Sequence, residues 1–171
     1  MKKGKLIVIE RACDGIGKTT KYELLCEHFL NDGQEIANHH FPSYQTFQGA
    51  HVEKYLQGEF GQPNELSPYF INSLYATDRA VTWYMNLKQL YEQGKIILLD
   101  RYTTSSLIYQ SALIEDITEK KKFIDYVIDF EYRKIGIKEP DKVIFLHAPF
   151  NLVTKLRDAR TQNEGIVNEY S

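Results

Sequence analysis

Gly17, Lys18 and Thr19 form the end of a phosphate-binding sequence pattern, G-x-x-x-x-G-K-[ST], and they follow a short apolar run. In such a loop the backbone N–H groups and the helix N-terminus attract phosphate oxygens. The lysine contacts the β- and γ-phosphates of a nucleotide, and the hydroxyl after it binds Mg²⁺. The pattern therefore predicts a nucleotide-binding loop with these members: Ala12, Cys13, Asp14, Gly15, Ile16, Gly17, Lys18, Thr19 and Thr20.

The first glycine of this pattern is absent from the sequence. Strict spacing places Ala12 at that position, and Arg11 precedes it. Glycine is usual there because it tolerates positive φ and lets the backbone approach phosphate. If the position requires positive φ, a residue with a side chain costs about 1–2 kcal/mol.

Asp100 and Arg101 directly follow a second buried apolar run. The carboxyl ends of parallel strands open onto the ligand crevice of an α/β sheet. An acidic side chain there can hold Mg²⁺, directly or through water, and an arginine can bind phosphate with its planar guanidinium. These residues are candidate metal-binding and phosphate-binding groups, and a salt bridge at the strand end is the alternative.

Tyr75, Asp78 and Arg79 share one face of a long predicted helix, and this face is apolar nearer the N-terminus. A helix face is expected to change from apolar to charged where the helix passes from the core into a crevice. Tyr75 and Arg79, one turn apart, could then stack on a base and donate to its carbonyl. The alternative is a helix that turns towards solvent, with Asp78 and Arg79 as a surface pair.

Arg157 and Arg160 lie three residues apart on the last predicted helix and therefore share a face. They could close over the phosphates as a mobile lid and neutralise the charge that develops during phosphoryl transfer. A solvated basic face is the alternative interpretation.

Apolar runs rich in β-branched residues alternate with helical patterns along the chain, which predicts an α/β fold. The predicted strands are Leu6–Ile9, Ile36–Phe41, Ile96–Leu99 and Val143–Leu146. The predicted helices are Lys18–Asn31, Phe47–Leu56, Ser67–Gln93, Ser105–Leu113, Thr118–Lys134 and Phe150–Arg160. The continuous apolar runs, including Val143–Leu146, are typical of strands buried on both faces of a sheet. We therefore predict a parallel sheet with helices on both faces.

The length of 171 residues predicts one domain over 1–171. The hydrophobic fraction of 43% is ordinary for a globular protein, and the net charge of −2 argues against nucleic acid or an anionic membrane as a partner. Cys13 and Cys26 show neither metal-ligand spacing nor a disulfide framework. Because we find no signal peptide and no apolar run long enough to span a membrane, we expect a cytoplasmic protein.

Taken together, these segments resemble the thymidylate kinase family of P-loop nucleoside-monophosphate kinases. The likeness covers the whole chain and rests most on residues 98–110, LLDRYTTSSLIYQ. It also includes DGIGKTT at 14–20, Phe41-Pro42, YLQGEFG at 55–61 and LYATDR at 74–79. The resemblance implies a P-loop NTPase-type three-layer fold. It also implies transfer of the ATP γ-phosphoryl group to dTMP, with Mg²⁺ as cofactor, giving dTDP and ADP.

The resemblance also assigns roles to residues of the acceptor site. Asp14 contacts the sugar 3′-hydroxyl of dTMP, Tyr75 stacks on thymine and Arg79 bonds thymine O4. Arg101 holds the dTMP phosphate, and Tyr109 lies under the sugar, where a ribose 2′-hydroxyl would clash.

Further residues are expected at the site on the same basis. Phe41 and Ser105 are expected in the substrate site, and Thr19 and Asp100 are the expected metal ligands. Four basic residues are expected to act in catalysis: Lys18, Arg101, Arg157 and Arg160. The lid is expected at about 157–168. The family usually forms homodimers through helices that include the long one.

The sequence departs from the family pattern in three places. The family has Glu-Gly at the end of the first strand, whereas this chain has Glu10-Arg11-Ala12, one residue more before Asp14. By resemblance Arg11 occupies the family's glycine position, so we predict that Arg11→Gly raises ATP affinity or turnover. Ser43-Tyr44 replaces a basic residue that is common after Phe-Pro and helps to clamp the monophosphate. The family continues past the lid into another strand and closing helices, so we expect the C-terminal strand and helices of the fold to be missing.

Two other functions are compatible with these residues. A kinase for another deoxynucleotide or deoxynucleoside would use the same loop, but a nucleoside kinase would lack the arginine that binds the acceptor phosphate, Arg101. A catalytically impaired nucleotide-binding protein would explain the lost loop glycine and the missing C-terminal part. A P-loop GTPase is disfavoured because the sequence contains no N-K-x-D-like base motif.

Overall fold

A four-stranded parallel sheet forms the centre of the protein in the computed structural model. The structure describes residues 3–11, 18–147, 149 and 154, without the side chains of 18–20. The strands are β1 (Lys5–Arg11), β2 (Ile36–His40), β3 (Ile96–Asp100) and β4 (Lys142–Leu146), and their order across the sheet is β2-β3-β1-β4. This is the predicted parallel α/β arrangement, with helices on both faces.

Six α-helices are present within the described residues, and two of them continue into π-helical segments. They are α1 (Lys18–Asn31), α2 (Ala50–Leu56), α3 (Pro68–Thr82), α4 (Lys88–Glu92), α5 (Thr103–Ala112) and α6 (Ile117–Ile128). The first π-helical segment, Trp83–Leu87, joins α3 to α4, and the second, Asp129–Ile135, extends α6. The predicted helix Phe150–Arg160 lies outside the described residues apart from Thr154.

Side chains from the central strands alternate between the two faces of the sheet. Leu6 and Val8 of β1 lie in register with Ile97 and Leu99 of β3, and all four are fully buried. They pack in one core cluster with aromatic and aliphatic side chains of the long helix: Trp83, Leu87 and Tyr91. Helix α1 is linked to β3 by a separate contact: the Tyr22 hydroxyl donates a hydrogen bond to the Leu98 carbonyl at 3.0 Å.

The long helical run predicted from Ser67 to Gln93 is confirmed, with one difference. Ser67 caps its start by accepting a hydrogen bond from the Tyr69 N–H, and Pro68 occupies the first turn. Gly94 ends the run with a φ of +95°, a conformation that glycine adopts without strain. The difference is the π-helical segment in the middle, which changes which side chains face the sheet beyond residue 82.

The prediction that Val143–Leu146 is buried on both faces is wrong. β4 lies at the edge of the described sheet, with β1 as its neighbour. Val143 and Phe145 are 41% and 49% exposed. The apolar run correctly indicated a strand, but burial depends on neighbours that a local pattern does not specify. Within the described residues, no helix is both long enough and apolar enough to cross a membrane.

Candidate active site

The carboxyl ends of β1, β2 and β3 meet at one edge of the sheet. Asp100 of β3 lies in register with Ile9 of β1 and with His40 of β2. The Nδ1 atom of His40 is 3.1 Å from Oδ2 of Asp100, whose side chain is 13% exposed. Asp100 therefore stands at the strand end where the sequence predicted it, and a histidine from the neighbouring strand orients its carboxylate.

Arg101 has a left-handed backbone, with a φ of +67°. Residues with a side chain rarely adopt this conformation, and it is found most often where function requires it. The Arg101 N–H donates to the Ile9 carbonyl at 3.1 Å, and its guanidinium lies 5.2 Å from the ring centroid of Tyr109. The Tyr109 hydroxyl donates in turn to the Arg11 carbonyl at 3.2 Å. This arrangement holds a cation against an aromatic ring next to the carboxyl end of β3.

Glu10 is a fully buried carboxylate at the end of β1, immediately before the predicted phosphate loop. Its Oε2 atom accepts hydrogen bonds from the Ser105 hydroxyl at 2.6 Å and the Thr104 hydroxyl at 3.0 Å. Its Oε1 atom accepts from the Arg11 N–H at 3.0 Å. Glu10 thus ties the start of α5 to the strand that leads into the loop.

Arg79 is held inside a buried polar cluster and is only 2% exposed. Its Nε and Nη2 atoms donate to the two carboxylate oxygens of Glu131, each at 2.7 Å. Nη2 also donates to the Ser106 hydroxyl at 2.8 Å. Glu131, itself fully buried, accepts a further bond from the Thr103 hydroxyl at 2.9 Å. The alternative of a surface pair between Asp78 and Arg79 is therefore wrong, because both side chains are buried.

Burial and the charge of Glu131 both shift the pKa values of neighbouring groups. Burial acts to lower the pKa of Arg79, but the charge and hydrogen bonds of Glu131 outweigh it, so the net shift is upward. Burial raises the pKa of Tyr132 to about 12; a hydrogen bond with Thr103 opposes this shift, and the charge of Glu131 adds to it. Since both pKa values are raised, Arg79 is charged and Tyr132 is protonated at neutral pH.

Asp78 fixes the loop that follows β2. Its Oδ2 atom accepts a hydrogen bond from the Ser43 N–H at 2.8 Å, and the Ser43 hydroxyl lies 2.8 Å from Nε2 of His39. Burial lowers the pKa of His39, although the Asp78 charge opposes this shift. Phe41, predicted in the substrate site, packs in the core cluster against Tyr102, so its contact with a ligand stays a prediction.

The remaining predicted residues are described fully, in their backbone only, or not at all. Tyr75 is half-buried on α3, with its ring in an edge contact with Tyr55 at 6.1 Å between centroids. Lys18, Thr19 and Thr20 begin α1, as predicted, but their side chains are not described. Eight predicted positions lie outside the described residues: Ala12, Cys13, Asp14, Gly15, Ile16, Gly17, Arg157 and Arg160.

The structure removes the basis for one predicted substitution effect. Arg11 is the last residue of β1 and does not have a positive φ, so the strain expected there is absent. The residue of the site that does have positive φ is Arg101, which the sequence pattern did not indicate. We therefore no longer expect Arg11→Gly to raise nucleotide affinity by relieving strain at Arg11.

Comparison with known proteins gives one consistent result. The family model described as thymidylate kinase matches residues 13–170. The thymidylate kinase of Plasmodium falciparum (isolate 3D7) is 31% identical over 159 residues, which cover 92% of this chain and 68% of that protein. This chain belongs to the thymidylate kinase family. A thymidylate kinase of Thermoanaerobacter sp. (strain X514) is 35% identical over 84% of this chain and 66% of its own length.

A solved structure supports the same family assignment. The thymidylate kinase of Candida albicans superposes with a TM-score of 0.67 at 26% identity, covering 90% of this chain and 67% of that one. Members of the family are nucleoside-monophosphate kinases, which use ATP as the phosphoryl donor, so this chain is a nucleotide-binding phosphotransferase.

Two residues of the site were missed by reasoning from the sequence. Glu10 follows an apolar strand just as Asp100 does, so the rule that singled out Asp100 also applied to Glu10. Glu131 stands at helical spacing with Phe123 and Val127, both of which are buried. An acidic residue on the core face of a helix indicates a buried partner, but the pattern does not say which residue that partner is.

The described residues are compatible with a Mg²⁺ ion bound together with nucleotide phosphates. Mg²⁺ keeps several waters and is usually held by one or two carboxylates plus phosphate oxygens, so a dedicated protein cage is not required. Asp100 supplies a carboxylate of this kind at the crevice edge. Within the part of the chain that the structure describes, no cluster of three or more His, Cys, Asp or Glu side chains forms a separate metal site.

Proposed function

We propose that this protein transfers the γ-phosphoryl group of ATP to dTMP, giving dTDP and ADP. A phosphate oxygen of dTMP attacks the γ-phosphorus, the bond to the bridging oxygen breaks, and ADP leaves with that oxygen. Such a reaction requires positioning and charge neutralisation more than covalent catalysis. The single observation that carries the proposal is the position of Arg101, which the backbone and Tyr109 hold at the carboxyl edge of the sheet.

Arg101 is the proposed ligand of the acceptor phosphate. A guanidinium can bind two phosphate oxygens at once with its planar array of donors. Tyr109, whose ring lies beneath the guanidinium, is the proposed support for the deoxyribose. Ser105 donates its hydroxyl to Glu10, so we propose that it positions the start of α5 beside the acceptor phosphate.

The thymine base is proposed to lie between Tyr75 and Arg79 on α3. Tyr75 would stack on the ring, and Arg79 would donate to O4. Lys18 is proposed to bind the ATP phosphates together with the backbone of residues 12–20, and Asp14 to bind the sugar hydroxyl. Arg157 and Arg160 are proposed to neutralise the transferred group from a lid at about 157–168.

Mg²⁺ is the proposed cofactor, and Asp100 and the Thr19 hydroxyl would hold it, Asp100 either directly or through water. The ion would neutralise negative charge on the ATP phosphates. A homodimer and a cytoplasmic location also remain predictions, because they rest on the resemblance and on sequence composition.

A broader acceptor range is the second candidate function. The Candida albicans relative is described by its broad substrate specificity, which is a property of that protein. Arg79 is only slightly exposed here, so recognition of the base depends on a small part of its guanidinium. Another deoxynucleotide could therefore also be phosphorylated.

The test is ADP release from ATP and Mg²⁺ with dTMP, dUMP, thymidine and dGMP in parallel. We expect turnover with dTMP and its loss by at least about 100-fold in Arg101→Ala, since one catalytic electrostatic contact contributes on that order. The matched control is Arg133→Ala, which removes a largely exposed arginine from the second π-helical segment. Turnover with thymidine but not dTMP would indicate a nucleoside kinase, and nucleotide binding without any turnover would indicate an impaired protein.

A further inference from the structure

The carboxylate of Glu131 joins three helical elements at one buried point. It accepts hydrogen bonds from Arg79 of α3 and from Thr103 of α5, while Glu131 itself belongs to the second π-helical segment. Arg79 adds Ser106 of α5 to the same network. The separation in sequence between Arg79 and Glu131 is 52 residues, so only the tertiary fold brings them together.

The contact with Glu131 fixes the plane of the Arg79 guanidinium. An arginine has five N–H donors, one on Nε and two on each terminal nitrogen. Glu131 accepts from Nε and Nη2, and Ser106 accepts from Nη2. None of these bonds uses Nη1. The fork geometry therefore leaves the two Nη1 donors in a fixed direction, set by the side-on ion pair.

The backbone of Glu131 is also fixed. Its carbonyl accepts hydrogen bonds from the Gly136 N–H at 3.0 Å and from the Ile137 N–H at 3.1 Å. Gly136 then ends the helix with a φ of +81°. π-Helical turns inside α-helices occur frequently at functional sites, where they redirect a side chain. In this protein the π-helical segment carries the carboxylate that meets Arg79.

A second observation in the same cluster points to an acceptor that the described residues do not supply. Asn72 is fully buried next to Arg79, with Oδ1 at 3.5 Å from Nη2. Its Nδ2 atom has no hydrogen-bond partner among the described residues. Buried donors in folded proteins are nearly always paired, so an unpaired one is expected where a ligand or a water brings the acceptor.

We propose that Glu131 is a positioning residue that orients Arg79 towards the base of the acceptor nucleotide. Glu131 thereby sets the preference for a pyrimidine with a carbonyl at C4 over one with an amino group there. This inference rests on the proposed function. It identifies the residue that gives the site its base preference, because an N–H donor fixed in direction can donate to a carbonyl oxygen but cannot pair with an N–H₂ group, which is itself a donor.

Stability alone does not account for this pair. The free-energy cost of removing two charges from water offsets much of the attraction between them. A protein with apolar side chains of similar volume in place of a buried ion pair is often equally stable. An arginine and a glutamate are therefore expected at such a position when the orientation of the guanidinium matters. The Thr103 hydroxyl, which donates to Glu131, and the Ser106 hydroxyl, which accepts from Arg79, hold the two charged groups in this orientation.

The test compares Glu131→Gln with the unmodified protein, using dTMP and dCMP as alternative acceptors with ATP and Mg²⁺. The glutamine keeps the size of the side chain but turns one acceptor into a donor that faces Arg79. We expect the KM for dTMP to rise about tenfold, the order expected for one disrupted hydrogen bond, while the KM for ATP stays unchanged. The ratio of kcat/KM for dTMP to that for dCMP should fall by a similar factor.

The matched control is Glu119→Gln on α6, because Glu119 is exposed and pairs only with Lys122 among the described residues. It should change neither KM nor the dTMP to dCMP ratio. Ser106→Ala is the second variant, used if Glu131→Gln does not fold. It removes the other strong acceptor of Nη2 and should lower the ratio about threefold.

The outcomes separate the inference from the proposed function. If the unmodified protein does not phosphorylate dTMP, the proposed function is wrong and the base contact is overturned with it. If the unmodified protein is active but a folded Glu131→Gln keeps both its KM for dTMP and its ratio, only the positioning role is overturned. If Glu131→Gln is unfolded, an unchanged ratio in Ser106→Ala overturns the role.

Discussion

Two buried glutamates, Glu10 and Glu131, hold opposite sides of the start of α5. Both are 0% exposed. Glu10 accepts hydrogen bonds from Thr104 and Ser105, whereas Glu131 accepts from Thr103 and from Arg79, which also bonds Ser106. Of the four consecutive hydroxyl residues TTSS, the middle two therefore bond Glu10, the first bonds Glu131, and the last accepts from Arg79, the partner of Glu131.

The two glutamates differ in how their charge is compensated. Glu131 forms a bidentate ion pair with a buried guanidinium. Among the described residues, the partners of Glu10 are two hydroxyls and a backbone N–H, with no cation. The described Glu131 cluster thus contains a carboxylate together with its counter-ion. The Glu10 cluster contains a carboxylate without a described cation and stands beside the start of the predicted phosphate loop, where the charge of a lysine and of Mg²⁺ is expected.

The largest expected effect is that of Glu131→Leu. Removing the carboxylate leaves Arg79 charged and buried without its partner, which should lower the free energy of unfolding by about 3–5 kcal/mol. The double variant Arg79→Met/Glu131→Leu should recover most of this loss, because neither charge remains buried. Urea unfolding of the three proteins measures the difference. A double variant as unstable as Glu131→Leu would show that packing, not charge, is the cause.

The second prediction applies one substitution to both glutamates. In Glu10→Gln the hydroxyl partners can rotate and accept from the new amide, so we expect a loss of only about 1 kcal/mol. Glu131→Gln places an amide N–H₂ against guanidinium donors that cannot reverse, and it should cost at least about 2 kcal/mol. The midpoints of urea unfolding test this order. Equal losses at the two sites would contradict the assigned difference in charge compensation.

The third prediction removes one hydroxyl from each cluster. Ser105→Ala takes away a short hydrogen bond to Glu10, whose remaining described partners are uncharged, and should cost about 1.5 kcal/mol. Ser106→Ala takes away an acceptor of Arg79, which keeps Glu131, and should cost about 0.5 kcal/mol. Thermal unfolding of the two variants under identical conditions gives the comparison, and the reverse order would contradict it.

Much of the fold could be predicted from local patterns because its determinants are local. Apolar runs indicated three of the four described strands, the weaker pattern at Ile36–Phe41 indicated β2, and Ser67, Gly94 and Gly136 marked helix ends correctly. The π-helical segments were not predictable, since the apolar pattern indicated a helix over the whole run but did not specify an i→i+5 turn within it. The exposure of β4 was missed because burial depends on neighbouring strands that are remote in sequence.

The site was predictable in its residue types but not in its pairings. Asp100 and Arg101 stand at the carboxyl edge of the sheet, as the motif indicated. The environment of Arg79 was not predicted, because its partner Glu131 lies on a helix distant in sequence. Helical spacing places a residue on the core face, but it carries no information about which charge from another element will meet it there.

The smallest expected effect comes from Glu119→Gln, which provides the baseline for both buried glutamates. Glu119 pairs with Lys122 on the surface of α6, with 56% of its side chain exposed. Water solvates both groups before and after unfolding, and salt screens the pair, so the substitution should leave the midpoint of urea unfolding unchanged. A clear loss in this variant would mean that removing any glutamate near α6 destabilises the protein. The effects at Glu10 and Glu131 could then no longer be attributed to burial and to the partners of each carboxylate.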